Sequence, residues 1–469
     1  MSPPKPTRKS LGAWYTPIDL LDIVTTNVLR DFVALADDTG WPRSRPVRVL
    51  DPACGDGRFL DAIRVHLHLA GYTVRAVGCD VDGEALDSIS HPSVRTIHAD
   101  ALTHDWGDER FDVVIGNPPF LSQMATTTTR GGASKHGGGP YANAAAEFLS
   151  LAIHLADPEG SVLGLVLPQS LLASRDAGPV RDRVDELADH TWWWWQRDQR
   201  RLFDAAVNVC ALGFRRPAAE RDDAMDTEFE WTRVVTETLG VPALDISMLT
   251  DDGVLADRAE LNANFRDEYY ALVPAVDDDA DGPVFVTSGL IDPGRSMWGS
   301  RHVKFAKRTF KHPRVDLDKL DGRFSDWARR KLVPKVLVAN QTSLVEAVAD
   351  VDGAWIPGVP ITSITPRAGD ADPIRTVREI EALLTSPVAS AWCWHLGGGT
   401  GMSSSAVRVT PAVLGQVPWP AGDLGPAIAA LAAADVDACG AAVDEAFGLT
   451  GPEADELLSW WCAGLPRRA

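Results

Sequence analysis

The chain has 469 residues, with 45 Lys and Arg against 65 Asp and Glu, a formal net charge of −20 and a mean hydropathy of −0.08. Its 45 % hydrophobic content supplies apolar side chain for two to three cored domains and excludes a disordered chain. Taken alone, the acidic balance argues against a polyanionic partner. Residues 1–10 are basic and Pro-rich with no apolar stretch behind them, so no secretory signal is read. No apolar run is long enough for a membrane span. Six cysteines (Cys54, Cys79, Cys210, Cys393, Cys439 and Cys462) form no Cys-x-x-Cys pair. Reduced thiols, a cytoplasmic location and no metal site are therefore expected.

In chain order, Thr16-Pro17-Ile18-Asp19 predicts a helix start, with Thr16 as N-cap, Pro17 in the first helical position and Asp19 completing a capping box. Leu21, Val24, Val28 and Phe32 share one face of that helix. A strand at 47–50 runs into Asp51-Pro52-Ala53-Cys54-Gly55-Asp56-Gly57 and a helix with Phe59, Leu60, Ile63 and Leu67 on one side. Further strands are read at 74–79, 94–98, 111–115 and 162–167, with helices between most of them. That alternation predicts an α/β fold with a parallel sheet covered on both faces. Residues 122–146 are too rich in Gly and Thr for packed structure, and are read as a lid or an inserted loop. Strands are expected at 192–195 and 207–214, with alternate members of the four-Trp run pointing inward.

Charge then separates by segment. Residues 217–282 hold 18 acids and 4 Arg, and read as a connector or exposed face. Residues 295–335 hold 13 Lys and Arg against 4 Asp, with Trp298, Phe305, Phe310, Phe324 and Trp327 interleaved. Local potential matters more than the total for nucleic-acid binding, so a positive cleft is expected in that region.

The glycines after the first strand permit a tight turn and close backbone approach at a helix N-terminus, as a nucleotide-type cofactor loop requires. Asp80 and Asp100 end the next two strands, where ligands of such sheets sit. The fourth strand ends in Gly116-Asn117-Pro118-Pro119-Phe120. An Asn side-chain oxygen and a Pro carbonyl can together accept both hydrogens of a planar amino group, and Phe120 offers a flat face to an aromatic base.

On Trp14-Tyr15-Thr16-Pro17, the loop at 51–57, Asp80, Asp100 and Asn117-Pro118-Pro119-Phe120, the chain resembles the gamma-class N6-adenine DNA methyltransferases. The resemblance implies a Rossmann-like class I methyltransferase sheet followed by a mixed α+β target-recognition domain. It also implies S-adenosylmethionine as cofactor. Tyr15, Thr16, Pro17, Asp51, Pro52, Ala53, Cys54, Gly55 and Gly57 would hold its methionine part, with Asn117 beside it. Asp80 would bind its ribose, and Asp100 with Ala101 its adenine. Asn117, Pro118, Pro119 and Phe120 would act on an adenine flipped from duplex DNA, with Phe203 as a second aromatic contact. Lys304, Lys307, Arg308 and Lys311 are the candidate DNA contacts of the recognition domain. Domain bounds are expected at 1–235, 236–425 and 426–469, the last a helical segment. Leu383-Leu384-Thr385-Ser386 and Val417-Pro418-Trp419-Pro420 resemble further family elements.

Double-stranded DNA and a separately encoded restriction or defence subunit are the implied partners, and no fused nuclease is expected before Trp14. The alternatives are an RNA adenine or protein glutamine methyltransferase, or a catalytically dead recognition subunit. The long C-terminal half and Tyr15-Thr16-Pro17 weigh against the former, and the intact Asn117–Phe120 motif against the latter. Asp82 reads as a helix-start acid, and His136 and Cys393-Trp394-His395 as non-metal residues.

Overall fold

Leu20, Val24, Val28, Phe32 and Leu35 recur at helical spacing, and they form the buried stripe of α1 (Ile18–Thr39). The computed structural model describes residues 16–120, 137–139, 142–196, 207–217, 230–244, 253–264 and 266–466. Helix α1 begins one residue later than Thr16 and Pro17 predict. Pro17 is itself the N-cap, at φ −57° and ψ 147°, and its carbonyl accepts from Leu21 N at 3.0 Å. The Thr16 hydroxyl caps nothing, because it is engaged elsewhere. Leu21 is half-buried at the edge of the stripe, while Leu20 lies within it.

Seven strands follow: β1 (Val47–Asp51), β2 (Val74–Asp80), β3 (Val94–His98), β4 (Val113–Gly116), β5 (Ser161–Pro168), β6 (Asp189–Trp195) and β7 (Val209–Arg216). They form one sheet in the order β3-β2-β1-β4-β5-β7-β6. β1 to β5 are parallel, and β7 runs antiparallel to both β5 and β6. The chain winds outward from β1 to β3 and then returns to β4 on the other side. The carboxyl ends of β1 and β4 therefore flank the crevice where ligands of such sheets bind.

Between the strands lie α2 (Arg58–Leu69), α3 (Gly83–Leu86), α4 (Ala144–Leu155) and α5 (Gly178–Leu187). Phe59, Leu60, Ile63 and Leu67 of α2 join the α1 stripe, Val49, Ile115 and Val166 in one core. Each such fully buried aliphatic side chain contributes roughly 1.5–3 kcal/mol.

Trp192 packs in this core over the space that Gly164 and Gly213 leave, and the half-buried Trp194 packs against the same core. Trp195 is also buried, and alternation places it on the other face, so both faces of the four-Trp run are covered. The Gly- and Thr-rich segment ends earlier than residue 146. Asn143 caps α4 by accepting from Ala145 N at 3.0 Å, and Ala145 and Ala146 are core. Residues 121–136, 140 and 141 lie outside the described residues.

The chain divides into two units, Met1–Val234 and Val235–Ala469. The second unit is mixed α+β. Its main sheet is antiparallel, in the order Ala347–Asp350, Lys335–Ala339, Ile361–Pro366, Ala259–Ala263. Lys335 is fully buried and ion-paired with Asp350, so it is structural and adds nothing to a surface potential. A hairpin of Val303–Phe305 and Arg308–Phe310 projects from a second core around Phe285, Leu290 and Val315. Ser386 caps the helix Pro387–Gly397 through Ala389 N, and Trp419 N donates to Gly253 O at 2.9 Å, so both family-like tetrapeptides are structural joints. Among the described residues no helix is long and apolar enough to cross a membrane.

Candidate active site

Asp51, at the end of β1, is almost fully buried, and its Oδ1 accepts from Ala53 N at 3.1 Å. Its carboxyl lies against Gly116, at the end of β4: a Cβ on Gly116 would stand 2.5 Å from Asp51 Oδ1. Only glycine lets those two strand ends approach so closely. The following turn uses Gly55 at φ 53° and Gly57 at φ 82°, and Cys54 N donates to Cys79 O at 3.0 Å.

Asp80, at the end of β2, fastens this loop. Its Oδ2 accepts from Gly55 N at 2.7 Å and its Oδ1 from Asp82 N at 2.9 Å. Asp82 in turn caps α3, accepting from Glu84 N and Ala85 N, as a helix-start acid should. Asp100 follows β3, is exposed, and accepts from Leu102 N at 3.0 Å, while Ala101 beside it is buried.

After β4 the Asn117 side chain reaches back 101 residues, and its Nδ2 donates to Thr16 Oγ1 at 3.0 Å. The sequence places Thr16 in a helix cap and, by resemblance, beside the cofactor, but not in a hydrogen bond to Asn117. Pro118 is buried, and Phe120 is half-buried against the core beneath α1 and α2. Thr16, Asp51, the glycine loop, Asp80 and Asn117 thus converge at adjacent strand ends. Tyr15 and Phe203 lie outside the described residues.

Burial pushes the Asp51 carboxyl up to about 8, with the Asp80 charge adding to it. The Cys79 thiol is pushed up to about 12, and Cys54 is raised further, both chiefly by burial. These thiols stay protonated at neutral pH and are not nucleophiles. Unfolded, Asp51 ionises near pH 4; folded, it keeps its proton to about 8. The folded state holds the extra proton between those values, so this group's contribution to stability falls as pH rises from about 4 to about 8. Asp51→Asn should remove that slope. In thermal melts, the variant's stability relative to the wild type should rise steadily from pH 5 to pH 8; a constant difference would contradict the assignment.

In the second unit, the hairpin turns through Ala306 at φ 47° and Lys307 at φ 66°, a left-handed pair normally left to Asn and Gly. Lys304, Lys307, Arg308 and Lys311 are all exposed on it, while Val303, Phe305 and Phe310 anchor it in the core. These phenylalanines are therefore packing residues. The acidic and basic segments interleave here. Arg308 pairs with Asp277 at 2.7 Å and holds that carboxyl below its usual range, and Asp278 accepts from Lys311 N and His312 N. Of the four candidate DNA-binding residues, Arg308 is thus partly neutralised. His395 Nε2 pairs with Pro242 O at 2.9 Å beside the buried Cys393 and Trp394, as packed residues do.

Residues 4–184 match the family model described as N-6 DNA Methylase. The chain is 31 % identical over 192 residues to the type II methyltransferase M.CvrRI of Paramecium bursaria Chlorella virus XZ-6E, covering 39 % of this chain and 43 % of that protein. It is 39 % identical over 118 residues to the type II methyltransferase M.TthHB8I of Thermus thermophilus, covering 25 % of this chain and 23 % of that one. The chain thus spans less than half the length of either relative. Among solved structures, a putative class I S-adenosylmethionine-dependent methyltransferase from Listeria monocytogenes aligns with a TM-score of 0.34 at 20 % identity, covering 44 % of this chain and 62 % of that one. Family match and motif order fall on the same part of the chain: residues 4–184 are similar to the N-6 DNA methylases, and Asn117 lies within that match beside the β1–β4 crevice.

Proposed function

We propose that the protein is a site-specific DNA methyltransferase that transfers a methyl group from S-adenosylmethionine to the N6 amino group of an adenine flipped out of duplex DNA. The observation that carries this reading is the Asn117–Thr16 hydrogen bond at the β4 end of the crevice. It engages the Asn117 amide through its nitrogen, which supports the oxygen as an acceptor for an incoming amino group. The Pro118 carbonyl is the second acceptor, and Phe120 and Phe203 stack on the adenine.

The residues present fit the cofactor. Among the described residues no atom lies within 4 Å of where a Cβ on Gly55 would stand, so the glycine loop borders open space beside the Asp80 carboxylate. The loop at 51–57 with Tyr15, Thr16 and Pro17 would hold the methionine part, Asp80 the ribose hydroxyls, and Asp100 with Ala101 the adenine. When bound, S-adenosylmethionine supplies the electrophilic methyl group. The chain itself contributes positioning and acceptors for an amino group that gains positive charge, with no general base or covalent nucleophile.

Residues 236–425 read as the target-recognition domain, with residues 426–469 packed on it. The type II relatives support a role in restriction–modification, with duplex DNA and a separately encoded subunit as partners. Incubation with labelled cofactor and duplex DNA, RNA or protein acceptors, followed by nucleoside analysis, tests the reading. N6-methyldeoxyadenosine from duplex DNA is expected. Label only in RNA or in glutamine would overturn the substrate assignment.

Two further outcomes follow from the geometry. Thr16→Val keeps shape but removes the acceptor for Asn117, and turnover should fall about tenfold, with Thr16→Ser restoring it. Equal rates for both variants would show that the hydroxyl does not position Asn117. Replacing Lys304, Lys307 and Lys311 by Ala should flatten the dependence of log affinity on log salt, by about 0.9 for each phosphate that is no longer neutralised. Arg308→Ala should do less, because Asp277 already engages it. An unchanged slope in the triple variant would place the DNA elsewhere.

A further inference from the structure

A cleft of about 760 Å³ opens at the opposite end of the sheet from Asn117. Arg110 precedes β4, Pro158 precedes β5, and Arg216 ends β7 directly opposite the first residue of β5. β5 is eight residues long, so the cleft lies roughly 25 Å from the crevice at a rise of about 3.3 Å per residue. Ser150, Ile153 and the His154 imidazole of α4, Pro179, Arg183 and Leu187 of α5, and Gly137 also line it.

Three guanidiniums meet here in a chain of net charge −20. Arg216 cannot swing away, because its Nη1 donates to Ile153 O at 3.3 Å and Ala156 O at 3.1 Å. Burial lowers its pKa, and the charges of Arg183 and Arg110 lower it further, while Asp157 acts in the other direction. Asp157 is already ion-paired with Arg48 and lies 3.6 Å from Arg45. Among the described residues, the acid paired with Arg183 is the exposed Glu186, one helical turn away at 3.0 Å. With Asp157 shared with Arg48 and Arg45, and only Glu186 besides among the described residues, the cluster stays net positive, and a bound anion relieves the repulsion. A single carboxylate occupies one guanidinium fork. Three forks around one cleft suit a chain of phosphates, which Arg grips bidentately. Pro158, Pro179 and Leu187, all at least partly exposed, add an apolar wall suited to a base, with the buried Ile153 behind it.

We propose that this cleft binds a nucleoside polyphosphate, with its phosphates on Arg110, Arg183 and Arg216 and its base against Pro158, Pro179 and Leu187. The site is separate from the methyl-transfer crevice and does not depend on the reading of that crevice. Calorimetric titration of the full chain with ATP, in saturating S-adenosylhomocysteine, tests it. Binding should persist under that competitor and weaken about 100-fold in the Arg110→Ala/Arg183→Ala double variant, about tenfold for each charge-assisted hydrogen bond removed. Both side chains are at least partly exposed and neither anchors the fold, so the variant's thermal midpoint should be no lower than that of the wild type, and higher to the extent that the like charges repel. Inorganic tripolyphosphate should bind more weakly than ATP. Absence of ATP binding, displacement by S-adenosylhomocysteine, equal affinity in the double variant, or equal affinity for tripolyphosphate would each overturn the proposal.

Discussion

Asn117→Ala is expected to lower methyl transfer by at least about 100-fold while leaving cofactor affinity within about threefold. β4 ends in Gly116, and Pro118 and Pro119 leave no N–H between Asn117 and Phe120 that could compete for the Asn117 oxygen. Thr16 takes the amide nitrogen, which fixes the orientation of the group. Alanine would remove the proposed acceptor, whose hydrogen bond should strengthen as charge develops on the target nitrogen. Removing the bond to Thr16 adds about 1 kcal/mol of destabilisation. Single-turnover rates on duplex DNA, paired with S-adenosylhomocysteine titration, check both halves. A variant turning over within tenfold of the wild type would refute the assigned role.

Asp80→Ala should have the largest effect on cofactor binding, with affinity for S-adenosylhomocysteine falling about 100-fold. Asp80 does two things at once. Its carboxylate would accept the ribose hydroxyls, and it already accepts from Gly55 N and Asp82 N. Losing a charged acceptor for two backbone donors should also cost about 2–3 kcal/mol of stability. Asp80→Asn keeps an acceptor oxygen for one of them and should fall between. Calorimetry and thermal melting on the same samples separate the two effects. An unaltered cofactor affinity in Asp80→Ala would place the ribose elsewhere.

The strands and the faces of α1 and α2 were legible because burial imposes periods of two and of 3.6 on nearby residues, as in Phe59, Leu60, Ile63 and Leu67. The strand-end acids were legible for a related reason: each sits where a short apolar run stops. What could not be read were pairings between distant residues. Thr16 looks like a helix cap until the fold brings Asn117 to it across 101 residues. Lys335 counts as one more positive charge until the sheet buries it beside Asp350. The acidic and basic segments look separate until Asp277 and Asp278 meet the hairpin at Arg308 and Lys311. Sign along the chain is a local property, whereas pairing is set by topology. Gly116 shows the same limit: its need for no side chain follows from the Asp51 carboxyl of another strand, which no local pattern encodes.

The most direct measurement is single-molecule sequencing of DNA from cells carrying the wild-type chain, the Asn117→Ala chain, or neither. N6-methyladenine is expected at one short sequence motif, present throughout the wild-type sample and absent from the other two. Methylation of a different base, or the same adenine pattern with Asn117→Ala, would contradict it.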